Sequence, residues 1–145
     1  EETWDTKKPM LFSGEWCKLY NRKKYWEDLN ILIAPYHWDN RELLKSNYYY
    51  LNDFYEILLE SLSLKLNSIH NVSYSIKYWR IFIGPWLCEF IQILFDRYMM
   101  LEITYKNFPI EKVKLIKHIF KEGITLDYND FNKLKIKLVK KLLIK

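Results

Sequence analysis

Between Leu51 and Ile69 the apolar residues Leu51, Tyr55, Leu58, Leu62, Leu66 and Ile69 step by 4, 3, 4, 4 and 3. Those steps keep one side of a 3.6-residue helix apolar along its whole length. So long a stripe must be buried against another element, which commits the middle of the chain to helix packing. Asp39 or Asn40 can cap the start, with Glu42 in the first turn, and His70-Asn71 closes the end. A second helical stretch is expected from Tyr74 to Phe82, broken at Gly84-Pro85. Pro85 then suits the first turn of a further helix, Trp86 to about Tyr105, because its missing N–H costs nothing there. That helix is apolar almost all round, so it is expected to be central, with Trp86 to Tyr98 and Leu94 among the most buried residues. Pro109 opens another helix that ends at Gly123, and Asp127 or Asp130 caps a final basic segment.

Two short apolar runs precede the helices. Met10 to Ser13 and Ile31 to Ala34 read as buried strands, joined by a weakly helical stretch from Trp16 to Asp28 with Leu19, Tyr20 and Trp26 facing inward. Strand, helix, strand over so short a span is a minimal βαβ unit, which makes the two strands parallel neighbours. The first run leads into Gly14-Glu15-Trp16-Cys17, the second into Pro35-Tyr36-His37-Trp38-Asp39. Ligands of open α/β sheets collect at the carboxyl ends of strands. Two strand ends that each deliver an acid beside aromatics therefore read as the floor of a small-molecule site.

The net charge of +5 is unevenly spread. Residues 1–131 hold 17 Lys and Arg against all 18 acids, whereas residues 132–145 hold six Lys and no acid. The expected organisation is one domain over 1–131 and a basic Lys/Leu tail over 132–145. A nucleic-acid binder carries its basic residues across the body of the fold, so that function is not expected. Aromatic residues make up 18% of the chain; such side chains fill cores and also line sugar, nucleotide and protein interfaces. Two cysteines, Cys17 and Cys88, form no disulfide framework. The acidic start, Glu1-Glu2-Thr3-Trp4-Asp5, is not a signal peptide. The apolar stretch Ile81 to Phe95 is interrupted by Glu89 and Gln92, so a buried helix is expected there and not a spanning one. A cytoplasmic chain with free thiols follows, with peripheral attachment at the inner face of the membrane as an extension.

No Walker loop, GxGxxG, paired CxxC, HExxH or GxSxG is present. Glu15, at a strand end, can act as a general base on a hydroxyl, or it can cap the next turn or pair with Lys18. His37 can serve as acid or base near neutral pH, with Asp39 orienting it or binding a sugar hydroxyl; the plainer role of Asp39 is a helix cap, with Trp38 over its first turn. Three histidines, at 37, 70 and 118, lack ligand spacing, so no metal site is expected. Tyr78-Trp79-Arg80 and Gly84-Pro85-Trp86 flank the expected helix break. A helix N-terminus there offers free N–H groups to an anion, and Arg80 can add a charge-assisted bond. Otherwise Arg80 is a buried partner of Glu89 or Asp96, Trp79 and Trp86 are core, and Asp96-Arg97 is a polar patch.

Trp4-Asp5, Leu11-Phe12-x-Gly14-Glu15-Trp16-Cys17, Pro35-Tyr36-His37-Trp38-Asp39-x-Arg41 and Tyr78-Trp79-Arg80-x-x-x-Gly84-Pro85-Trp86-Leu87 occur in that order. Over roughly residues 3 to 108 they resemble the N-terminal part of a bacterial family of transferases encoded in O-antigen and surface-polysaccharide loci. The resemblance implies an α/β, mostly helical fold: a small parallel Rossmann-like sheet packed by long helices, as in the N-terminal half of a two-domain glycosyltransferase. It implies glycosyl transfer from a nucleotide-sugar donor to a glycan, with no cofactor in this chain. Family members are several times longer, so the chain is expected to be an acceptor-side domain or truncated member whose donor-binding half is absent. Catalytic roles then fall to Glu15, His37 and Asp39, and substrate binding to Trp16, Trp38, Arg80 and Trp86. The rival readings are a non-catalytic domain that docks a partner or membrane surface through its aromatics and basic tail, and an inactive fragment.

Overall fold

The computed structural model describes residues 7–110. They form two short strands, three 3-10 turns and two long helices. By their contacts they divide into two compact units, one of residues 7–36 with 100–110, the other His37–Met99.

In the first unit β1 (Met10–Phe12) and β2 (Ile31–Ile33) pair in parallel, Met10 opposite Ile31 and Phe12 opposite Ile33. Met10 N–H donates to the Asn30 carbonyl and Ala34 N–H to the Phe12 carbonyl, so the ladder is closed at both ends. The expected parallel neighbours are there, but the crossover is not an α-helix. It consists of 3-10 turns over Glu15–Cys17 and Tyr20–Tyr25, and Trp26 Nε1–H holds its far end to the Leu19 carbonyl at 3.0 Å. Tyr20, expected to face inward, is exposed. Met10, Phe12, Cys17, Ala34, Met100 and Thr104 are buried. Thr104 satisfies its hydroxyl on the Met100 carbonyl at 2.6 Å.

The second unit is built on α1 (Arg41–His70) and α2 (Ile76–Asn107), the latter running on past Met99 into the first unit. Asn40, and not Asp39, caps α1: its Oδ1 accepts from the N–H groups of Glu42 and Leu43. At the other end Asn71 turns left-handed at φ 51°, and Val72 N–H returns to the Asn67 carbonyl. Asn67 then pins the connection, donating to the Tyr74 carbonyl and accepting from Tyr74 N–H and Trp79 Nε1–H. The chain reverses in five residues, and the helices pack antiparallel. Their core is Leu51, Leu59, Leu87 and Ile91, flanked by Tyr55, Leu58, Leu62, Ile83, Trp86 and Phe95.

Three expectations need correction. The helix does not break at Gly84-Pro85, because α2 passes through Pro85. A proline removes one intrahelical bond, to the carbonyl of Ile81; Pro85 and Ile81 are both exposed, so water can satisfy that carbonyl. Nor is α2 central. A helix packed chiefly against one partner buries one face, and Ile81, Phe82 and Leu94 lie on the other, Leu94 being 54% exposed. Finally, the buried stripe of α1 runs through Leu59, which has no exposure at all, and leaves Ile69 in solvent. The expected helix beyond Pro109 and the 132–145 tail lie outside the described residues. No described helix is long and apolar enough to cross a membrane.

The burial pattern sets an energetic contrast. Leu59→Ala opens a cavity in the helix–helix core and is expected to cost about 2–5 kcal/mol, whereas Leu94→Ala should stay within about 0.5 kcal/mol of the parent. Denaturant unfolding of the two variants measures the difference; equal losses would contradict this packing.

Candidate functional site

A pocket of about 630 Å³ opens in the second unit. Leu44, Tyr48, Asn52 and Glu56 line it from α1, and Arg80, Gly84, Cys88 and Gln92 from α2. Each set steps by four residues, so each occupies one face of its helix. Leu51, Tyr55, Pro85 and Ile91 complete the floor, and Trp38 adds an indole from the turn before α1. Its volume lies in the range of small-molecule sites, which pair an apolar lining with a few placed polar groups.

Gly84 shapes this wall. A Cβ there would stand 2.6 Å from the Tyr55 hydroxyl and 3.6 Å from Arg80 Cγ. The missing side chain lets Tyr55 reach the helix and leaves the Arg80 stem room beside it. Arg80 Cζ in turn lies 5.9 Å from the Tyr55 ring centroid. The guanidinium meets Glu56 through two parallel bonds, Nη1–H to Oε1 and Nη2–H to Oε2, each 2.6 Å. These hydrogen bonds from Arg80 hold the Glu56 carboxyl below the usual glutamate range, and Glu56 raises Arg80 in return. With its carboxyl depressed, Glu56 keeps its charge and the pair down to a more acid pH than a free glutamate would. The pair opens as pH falls through that lowered value. Cys88, an exposed thiol, takes a 3.2 Å contact from Gln92 Nε2.

Behind Trp38 lies a buried polar pair. His37 and Trp38 share the 3-10 turn His37–Asp39, which Asn40 joins directly to α1. His37 Nε2 stands 3.0 Å from Asp96 Oδ1, and Asp96 Oδ2 stands 3.4 Å from Arg97 Nη1. The His37 side chain is fully buried. Its ring lies 4.5 Å from that of Trp38, which also stacks on Phe95 at 6.4 Å. The bond from His37 to α2 therefore fixes the turn that carries Trp38 into the pocket.

The expected site residues separate accordingly. Trp38 and Arg80 line the pocket together. Arg80 is half exposed and its partner is Glu56, not Glu89 or Asp96. The expected helix start at Pro85 is not there, since α2 runs through it from Ile76. His37 does not line the pocket, and the carboxylate beside it is Asp96, which is buried. Asp39 is exposed on the turn. Trp86 packs on the leucine core and stacks on Phe90 at 5.0 Å. Glu15 and Trp16 belong to the first unit. Glu15 is exposed and pairs with Lys18 at 3.6 Å, an arrangement worth little energy. The Trp16 ring covers Gly14, which has no Cβ to obstruct it, and meets Tyr36 edge-on at 6.3 Å.

Tyr48, Asn52, Tyr55, Glu56, Cys88 and Gln92 were not among the expected site residues. The signal for all but Tyr55, which belongs to the apolar stripe itself, is the pair of four-residue steps, 44-48-52-56 and 80-84-88-92, whose side chains are mostly polar. Nothing local to Asp96 marks its partner, since His37 is 59 residues away.

Tyr55 and Gly84 give a direct check on this geometry. Gly84→Ala is expected to destabilise the parent, the clash outweighing about 1 kcal/mol of gained helix propensity. In a Tyr55→Phe background the clash is relieved and the same substitution should stabilise. A double-mutant cycle by thermal or denaturant unfolding reads the coupling; additive effects would contradict the close approach.

The family model of the LIC12162 family transferases matches residues 1–141, so the chain belongs to that family. No curated protein and no solved structure matches the chain.

Proposed function

We propose that this LIC12162 family transferase transfers a glycosyl group in the assembly of a surface polysaccharide of the O-antigen kind, and that the pocket of the second unit holds the acceptor sugar. The lining is the observation that supports this reading. Trp38, Tyr48 and Tyr55 put aromatic surface on the lining for the C–H surface of a pyranose, while Asn52 and Gln92 offer planar hydrogen-bonding groups to its hydroxyls. The small parallel sheet is read as part of a Rossmann-like half of a two-domain glycosyltransferase. The donor is a nucleotide sugar. The reaction belongs in the cytoplasm, at or near the inner face of the membrane.

In such a transfer the acceptor hydroxyl oxygen bonds to the anomeric carbon of the donor as the bond from that carbon to the nucleotide phosphate breaks. The nucleotide leaves with the electron pair, and the hydroxyl proton passes to a base. Glu56 is poorly suited to that step, because Arg80 depresses its pKa; it stays paired with Arg80 instead. We assign the proton to the exposed carboxylate of Asp39, on the turn that carries Trp38. His37 is a positioning residue: buried against Asp96, it holds the Trp38 turn. Trp86 acts through the core beneath the pocket and Trp16 through its packing in the first unit.

The test is calorimetric binding of a surface-polysaccharide acceptor fragment to the chain. Trp38→Ala should weaken that binding by about tenfold; with a donor-binding half supplied, loss of the base by Asp39→Asn should lower kcat by about 10²–10⁴. No binding of any such fragment, or a Trp38→Ala variant identical to the parent, would overturn the reading.

A further inference from the structure

We propose that the pocket selects an acidic sugar, whose carboxylate or phosphate takes the place that Glu56 holds on Arg80. The inference rests on the glycan reading above and names the substrate class within it.

Arg80 and Glu56 are the charged side chains among the described residues that line the pocket. They meet through the parallel two-bond geometry that a guanidinium offers to any carboxylate or phosphate. Glu56 is therefore an internal copy of an anionic ligand group, seated on the cation that would receive one. The two partners are not held equally. Glu56 has more than half of its side chain in solvent, and among the described contacts its only polar partner is Arg80. Arg80 is braced on the Tyr55 ring and lies along the space left by Gly84. An arriving anion thus displaces the carboxylate into water and leaves the guanidinium where it stands.

This exchange produces selectivity. A neutral sugar leaves the pair closed and meets a lining with no net charge. An acidic sugar opens it, keeps both bonds from Arg80, and rests its ring on Trp38 and Tyr48. Glu56 acts as a competitor that a free ring lacking an anion cannot replace. An exposed ion pair of this type favours its closed state by no more than about fivefold, so the competitor weakens anion binding only modestly.

The experiment compares methyl glucuronide, glucose 6-phosphate and neutral methyl glucoside by calorimetry on the chain, its Glu56→Gln variant and its Arg80→Ala variant, each checked for folding by circular dichroism. At least one acidic sugar should bind about tenfold more tightly than the glucoside, the value of one charge-assisted hydrogen bond. The tighter of the two identifies carboxylate or phosphate as the group recognised. Glu56→Gln should tighten acidic-sugar binding about two- to fivefold and leave the glucoside unchanged; a merely structural pair would give weaker binding or no change. Arg80→Ala should erase the discrimination. Equal binding of acidic and neutral sugars, or weaker acidic-sugar binding in Glu56→Gln, would overturn the proposal and leave the glycan reading standing. Binding of none of the three would overturn both.

Discussion

Gly84 lets the Tyr55 hydroxyl come to where a side chain would otherwise begin, 2.6 Å from the position of a Cβ. That approach, above the Leu51, Leu59, Leu87 and Ile91 core, brings α1 and α2 together at one register. Asn67 fixes the same register from the closed end of the hairpin, with three hydrogen bonds to the turn and to Trp79. With the register set, the two four-residue stripes face each other and Glu56 meets Arg80. A slip of one helical turn would separate that pair and close the pocket with different side chains.

Two polar pairs of unlike character serve the pocket, one behind it and one on its lining. His37 is fully buried and Asp96 nearly so, so their bond stands where water has little access, and breaking it would leave the imidazole without that partner. It is suited to holding a structure still, here the turn that carries Trp38. Arg80 and Glu56 are exposed to water, so their bond is readily exchanged for another. It is suited to binding and release. A positioning pair behind the aromatic wall and an exchangeable pair in front of it give a transferase a rigid platform with one adjustable contact.

Much of this was legible in the sequence. The strands and their parallel pairing follow from two apolar runs and a short crossover, and both ends of α1 follow from Asn40 and Asn71. Trp38 could be singled out because it follows a strand run, whereas Arg80 was marked by a break at Gly84-Pro85 that α2 does not make. Helix α2 continues through Pro85 where the sequence places a break: the carbonyl left without its N–H, that of Ile81, is exposed to water, and that exposure is not visible in a linear pattern. The buried role of Asp96 and the pairing of Arg80 with Glu56 were hidden because both depend on contacts between distant segments. Apolar composition also overstated burial, since Leu94 and Phe82 lie on the unpacked side of α2. The family match gives the transferase class, and the lining of the pocket supplies the chemistry from which its substrate is proposed.

Cys88 offers a direct measurement on the pocket itself. Its thiol is exposed on the lining, whereas Cys17 is buried, so a small alkylating reagent should modify Cys88 selectively. The rate of that modification, followed by mass spectrometry with and without a saturating oligosaccharide fragment of a surface polysaccharide, reports whether a glycan occupies this site. Occupancy predicts alkylation slowed severalfold, with the protection lost in Trp38→Ala. A rate unchanged by any such fragment that the protein demonstrably binds would show that the sugar sits elsewhere and would contradict the assignment of this pocket as the acceptor site.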